Sequence, residues 1–319
     1  MQTCEELLQE FRQNKQVSKA EKLKFTGVDG RDVYNITAPF LYEGKQLILG
    51  RVEKRDSEFS EVVFFEKTDG VWTRREDAKT FNLQDPFFTF INGELIFGGV
   101  EVFYNPNGAV TWYTVFYRGK DINDLKPFAT GPQGMKDIRL VELPDGRIGV
   151  FTRPQGEKGG RGKIGFTIIN SLDDLTPETI ENAPLLPDQF VDEEWGGANE
   201  AHLLDNGTIG VLGHIAYFDE DGNRHYYAMC FALDPETQEA TPMKIIAVRS
   251  NFPEGPAKRP DLADVVFSGG LVRKEDGTAE LYVGVSDAEA HRITIPDPFL
   301  EYEKQNLEMT ALEHHHHHH

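Results

Sequence analysis

The chain is poor in cysteine, in basic residues and in long apolar runs, and each shortage excludes something. Its two cysteines, Cys4 and Cys230, are too few for a disulfide framework or a thiolate metal site, so a reducing compartment is the default. No stretch approaches the ~20 apolar residues of a spanning helix, and the acidic start around Glu5 and Glu6 is no secretion signal. These features predict a soluble, unexported, cytoplasmic protein. Lysine and arginine number 33 against 53 aspartates and glutamates, a formal charge of −20. A surface that negative argues against nucleic acid or an anionic membrane as partner, yet leaves room for a small basic pocket that takes a phosphate or sugar phosphate. Six of the ten histidines form the run 314–319, which with Leu312 and Glu313 reads as an expression tag, 312–319. The informative ones are His202, His214, His225 and His291. No His-x-His, His-Glu-x-x-His or acidic-loop pattern occurs, so no metal is expected. No Gly-x-Ser-x-Gly marks a nucleophile, and Gly159-Gly160-Arg161-Gly162 lacks the strand-to-helix setting of a phosphate loop.

What is abundant points to β-structure: 22 Phe, 30 Gly and 17 Pro suit many short strands and tight turns. Five segments share one shape, an apolar strand, a turn with glycine and a second apolar strand. Their turn glycines are Gly44, Gly93, Gly146, Gly207 and Gly277. Further β-rich runs such as 61–65, 110–117, 164–169 and 225–232 lie between them. Two inner strands plus one or two outer ones, five times over, predict an all-β fold, a five-bladed β-propeller. A β-sandwich is the alternative, but it has no need of equivalent openings. Asp145-Gly146, Asn206-Gly207 and Asp276-Gly277 suggest two-residue hairpin turns. Helical spacing is confined to Glu5–Lys22, with Leu7, Leu8 and Phe11 on one face. The expected organisation is an N-terminal helix over 1–22 and one propeller domain over 23–311, its last blade closed by an early strand near residues 24–27. Gln155–Gly162 reads as a mobile surface loop.

In a propeller the first residues of each inner strand ring one mouth of the axial channel. Those positions supply Asn35, Asp85, Lys136 with Asp137, Asn199 with Glu200 and His202, and late in the chain Asp287. Second strands add Arg51 with Glu53, Arg153 and His214. Each has a plainer reading. Asp85-Pro86 could simply open a strand, Arg51 and Glu53 could form a salt bridge across one strand face, and His202 and His214 could be satisfied core histidines. His225 and His291 look like surface or outer-strand residues.

The run Leu49-Gly50-Arg51-Val52-Glu53 through Asp69-Gly70-Val71-Trp72, then Asp85-Pro86, Lys136-Asp137, Arg153-Pro154, Gly213-His214 and Gly284-Val285-Ser286-Asp287 resembles glycoside hydrolase family 130, five-bladed propellers that are chiefly inverting mannoside phosphorylases. The resemblance is closer still to the group labelled domain of unknown function 1861, related to the mannosyltransferase/phosphorylases of glycosyltransferase family 108. It spans about residues 30–295. It implies Asp85 as the general acid, Asn35, Arg51, Glu53 and Asp287 as holders of sugar hydroxyls, and Lys136, Arg153 and His214 as phosphate ligands. No cofactor is implied beyond inorganic phosphate as co-substrate. The chain departs from family 130 at Gln84 and Phe87, which flank Asp85-Pro86, and at Asn199-Glu200-Ala201-His202. Glu200 could orient an acceptor or activate water, with His202 and Asp137 alongside as substrate contacts. The second role would make the enzyme an inverting hydrolase. The expectation is thus an inverting β-mannoside phosphorylase or transferase that acts on an oligosaccharide and phosphate, with a hydrolase or a glycan-binding propeller as alternatives. Oligomeric state is left open, a homo-oligomer included.

Overall fold

Each of the five strand–glycine–strand segments folds as an antiparallel hairpin in the computed structural model, which describes residues 1–14 and 18–304. The pairs are Phe40–Tyr42 with Lys45–Glu53, Gln84–Ile91 with Glu94–Tyr104, Arg139–Glu142 with Ile148–Thr152, Glu194–Leu203 with Ile209–Phe218, and Asp264–Arg273 with Thr278–Val285. Two turn chemistries close them. Glu43-Gly44 and Asn92-Gly93 are two-residue loops with positive φ at both positions, the twist that suits a tight hairpin. The other three are one residue longer than the sequence suggests. In Pro144-Asp145-Gly146, Asp205-Asn206-Gly207 and Glu275-Asp276-Gly277 only the glycine has positive φ. The Asp or Asn oxygen there accepts from the backbone N–H two residues on, a type I turn followed by a left-handed glycine.

Outer strands complete antiparallel ladders: Glu61–Thr68 and Val71–Arg74 on the first, Val110–Gly119 and Lys126–Thr130 on the second, Gly165–Ile169 on the third, Arg224–Leu233 and Lys244–Ala247 on the fourth, and Glu289–Pro296 on the fifth. A two-residue parallel bridge, His225 and Tyr226 opposite Asp264 and Val265, merges the fourth and fifth into one eight-stranded sheet. Packing between ladders shows their arrangement. Phe64 and Leu49 meet Phe97 and Leu83 across the first and second; Phe87 and Ile96 meet Leu140 and Val150 across the second and third. Phe151 and Phe166 meet Val211 and Phe231 across the third and fourth; Leu212 and Cys230 meet Leu281 and Val283 across the fourth and fifth. Finally Tyr282 and Ala290 of the fifth pack on Ile48 and Val63 of the first. Every ladder buries both faces against a neighbour, and the ring closes.

The N-terminal helix is shorter than its spacing predicts. It runs Cys4–Gln13, opened by a Thr3–Glu6 capping box, and buries Cys4, Leu7 and Leu8 against the cluster of the third and fourth ladders. Lys19–Lys22 is a strand on the outer edge of Glu289–Pro296, where it pairs backbone groups that this edge would otherwise leave open. That strand, and not residues 24–27, extends the last ladder; Phe25–Thr26 pairs in parallel with Val71–Arg74 of the first. His291 lies on the outer strand of the last ladder, one of the two places expected of it, and is wholly buried there. Gln155–Gly162 is folded: Gly156–Gly159 makes a helical turn and Gln155 donates to the Arg161 carbonyl at 3.0 Å. The tag at 312–319 and the end of the expected propeller domain, 305–311, lie outside the described residues. Among the described residues no helix is long and apolar enough to cross a membrane.

Candidate active site

Backbone conformation selects the residue types here. Asn35, Asp85, Asp137 and Asp287 all have left-handed φ, at 47°, 50°, 57° and 51°. That region costs an ordinary L-residue ~1–2 kcal/mol and is tolerated best by Asn and Asp. At Asp85 the ladder slips register between Gln84 and Phe87, and Pro86 fills the gap, where no N–H is needed. Asn199 occupies a matching slip between Ala198 and Glu200. The kinks at Asn35, Asp85, Asp137 and Asp287 aim polar side chains from separate ladders into one cavity of about 710 Å³, within the range of small-molecule sites.

Two clusters of charged and polar side chains meet at that cavity. In the first, Asp85 Oδ1 accepts from Asn35 Nδ2 at 2.8 Å and from Arg51 Nη1 at 3.0 Å. Arg51 is braced from behind: its Nη2 meets Glu53 at 3.1 Å and its guanidinium lies 4.9 Å over the Tyr34 ring. Glu53 in turn takes hydrogen bonds from Tyr34, Ser60 and Lys258. In the second, Asp137 Oδ2 lies 3.6 Å from Arg153 Nη1 and 3.7 Å from His214 Nε2. His214 Nδ1 donates to Asn199 Oδ1 at 2.8 Å, and its ring stacks 5.5 Å from Tyr226. Lys136 lies 5.7 Å over Trp112 and, among the described residues, forms no ion pair. Arg153 Nε is buried without a partner.

This setting divides the protonation states. Burial would raise the Asp85 carboxyl, but the Arg51 guanidinium and then Lys136 overcome it and hold the group at about 2. Asp287 is lifted by burial, with Asp85 and Glu53 adding to the rise against Arg51, to about 6. Burial lowers His214; Asp137 opposes, Arg153 and Arg139 reinforce, and the group falls to about 4. His214 is therefore neutral near pH 7, with its Nδ1–H committed to Asn199 and the Nε2 lone pair free.

Of the residues singled out in sequence, Asn35, Arg51, Asp85, Lys136, Asp137, Arg153, His214 and Asp287 line this cavity. Glu53 is 1% exposed and stands behind Arg51. Glu200 and His202 lie elsewhere: both line a separate hollow beyond the Asn199 slip, with Arg139, Phe88 and Leu271. Glu200 accepts from Leu271 N at 2.8 Å and pairs with His202, so its carboxylate ties two ladders together. Tyr34, Ser60 and Lys258 escaped sequence reasoning, since nothing local marks a lysine 205 positions from its carboxylate partner. Asn199, placed at the channel mouth from its repeat position, reaches the site through His214.

The profile of the family described as protein of unknown function DUF1861 matches residues 9–301. The chain belongs to the DUF1861 family. No curated protein matches this DUF1861 member. Among solved structures it is similar to MPT-4, a mannose phosphorylase from Leishmania mexicana in complex with phosphate ion, at 44% identity over 92% of this chain and 93% of that one, with a TM-score of 0.87. MPT-1, a GDP-Man-dependent mannosyltransferase from the same organism, is 41% identical over 93% and 96%, with a TM-score of 0.86. A β-1,2-mannobiose phosphorylase from Listeria innocua shares the fold at 14% identity over 87% and 90%, with a TM-score of 0.60.

Proposed function

We propose that this DUF1861 chain is an enzyme, a mannoside phosphorylase or mannosyltransferase that inverts configuration at the anomeric carbon. In this reading the closed ring of ladders is a five-bladed propeller catalytic domain preceded by the terminal helix, and its axial cup is the active site. The carrying observation is the pairing of two incompletely satisfied cations, Lys136 and Arg153, with a carboxylate group across one cavity. Similarity to a mannose phosphorylase and a mannosyltransferase supports the sugar and the reaction class.

Phosphate binds on Lys136 and Arg153, and an oxygen of phosphate attacks the anomeric carbon. The bond to the leaving oxygen breaks as Asp85 delivers a proton to it, giving mannose 1-phosphate and a shortened glycan. Phosphate brings its own nucleophilic oxygen, so no second catalytic carboxylate is required. Neutral His214 accepts a hydrogen bond at Nε2 from a hydroxyl of phosphate or sugar, a different task from the charge neutralisation its position suggested. Asp85 is ionised in the empty cup. An anion beside Lys136 cancels part of the field that holds it so, so phosphate binding raises its proton affinity and readies the acid. Asn35, Arg51 and Asp287 hold hydroxyls of the sugar, and Asp137 orients Arg153 and His214. With Glu200 outside the cup, the hydrolytic alternative loses the base assigned to it.

Incubating the protein with manno-oligosaccharides, with and without phosphate and with GDP-mannose, tests the reading. Phosphate-dependent mannose 1-phosphate, or chain elongation from the nucleotide sugar, is the expected product. Free mannose made at the same rate without phosphate would refute phosphorolysis.

A further inference from the structure

The second ladder carries a projection the mechanism does not use. Its hairpin pairs over ten positions, from Leu95 opposite Gly119 out to Tyr104 opposite Val110. The inner strand accompanies it only as far as Gln84, opposite Val100, and the outer strand begins at Val115. Residues 101–104 and 110–113 therefore extend past both flanking strands as a two-stranded ribbon, held at its base by the Gly134 N–H, which donates to the Trp112 carbonyl at 2.6 Å, at the end where Gln84 and Asp85 line the cup. Side chains alternate along such a ribbon. One face carries Trp112 and Val102, directly opposite each other, and then Tyr104 opposite Val110.

That face is continuous with the cup. Trp112 lines the cavity, and its indole N–H is buried without a partner, although a buried indole normally finds one. Tyr104 follows ~7 Å further out and meets Phe59 at 5.3 Å between centroids. Phe59 is 75% exposed and Tyr104 51%. Phe59 adjoins Glu58, itself a cup residue whose carbonyl accepts from Gln84 at 3.1 Å. Exposed rings with polar groups at their edges suit a sugar, which offers apolar C–H faces ringed by hydroxyls. The carboxylate of Glu58 borders the strip but is compensated, lying 3.6 Å from Arg51, 3.5 Å from Lys258 and 3.6 Å from Arg259, which suits a neutral ligand.

We infer that Trp112, Tyr104 and Phe59 form an extended subsite for the distal units of a neutral oligosaccharide whose reacting end lies in the cup, an inference that rests on reading the cup as a mannoside site. The enzyme then favours chains longer than a disaccharide.

The test is calorimetric titration of the intact protein with a manno-oligosaccharide series from two to five units, and with GDP. Wild type, a Phe59→Ala/Tyr104→Ala double variant and Tyr104→Phe are compared. Wild type should bind longer chains roughly tenfold more tightly than the disaccharide. The double variant should lose that gain and keep the disaccharide affinity, and Tyr104→Phe should retain both. Length-independent affinity in wild type, or a gain that survives in the double variant, overturns the subsite. So does a double variant that loses affinity for GDP alone, or that changes only its sedimentation, which would make the strip a contact between copies. If wild type binds no manno-oligosaccharide, the reading of the cup fails first and takes the subsite with it; a bound disaccharide without length dependence sinks the subsite alone.

Discussion

Replacing Asp85 by Asn separates two roles the structure gives this side chain. The fall of its carboxyl from 3.8 to about 2 corresponds to ~2.5 kcal/mol in favour of the anion. The sign follows from linkage: a depressed carboxyl contributes stability that is present above its unfolded value and lost as pH falls through about 2. A neutral amide at this position cannot recover that contribution, although Arg51 keeps Glu53 at 3.1 Å. Asp85→Asn should therefore lower stability at pH 7 by up to ~2 kcal/mol and leave the fold intact. Its effect on turnover should be far larger, ~10²–10⁴-fold, the usual worth of a positioned acid. The assay is release of mannose 1-phosphate from two substrates, a manno-oligosaccharide and an aryl mannoside whose leaving group needs no proton. The variant should be crippled on the first and largely spared on the second, with phosphate affinity retained. Equal loss on both substrates, or normal turnover on the oligosaccharide, would refute the assignment of the proton to Asp85.

Three further outcomes are expected. Protonation of His214 is resisted in the fold, so its contribution is full above 6.5 and lost as pH falls through about 4; His214→Gln should flatten the fall of the urea midpoint between pH 7 and 4 relative to wild type. Glu200→Gln should leave the rate of phosphorolysis within about twofold while costing ~1–2 kcal/mol in denaturant titration, since it weakens only the tie to Leu271 and His202. A rate loss of a hundredfold would return Glu200 to the chemistry. Gly284→Ala should cut activity sharply, measured as kcat/KM, because a Cβ there would overlap Asn35 Oδ1 and stand 2.6 Å from Asn35 N; retention of full activity would show that Asn35 is free to move.

Much of this was legible in the chain because the fold repeats. The spacing of Gly44, Gly93, Gly146, Gly207 and Gly277 fixes five hairpins through local φ alone. The polar residues at matching strand openings, Asn35, Asp85, Asp137 and Asn199, fall where a kinked inner strand turns them inward. The register slip also explains which residues lie outside the cup. Glu200 and His202 are close to Asn199 in sequence, but they sit past the register slip, on the stretch that faces another hollow. Hairpins and kinks are decided by neighbours a few residues apart, so sequence alone determined them.

Charge states are decided differently. Whether Asp85 is firmly ionised, Asp287 lifted to about 6 and His214 uncharged depends on burial and on the sum of fields from Arg51, Lys136, Arg153 and Arg139. Arg51 comes from the first ladder and the other three from the third and its flanks, while the groups they act on lie on the second, fourth and fifth, and Coulomb interactions act through space and not along the chain. The Lys258–Glu53–Arg51–Asp85 brace is of the same kind. The sequence set which side chains could reach the axis; the closing of the ring set what each one carries when it arrives.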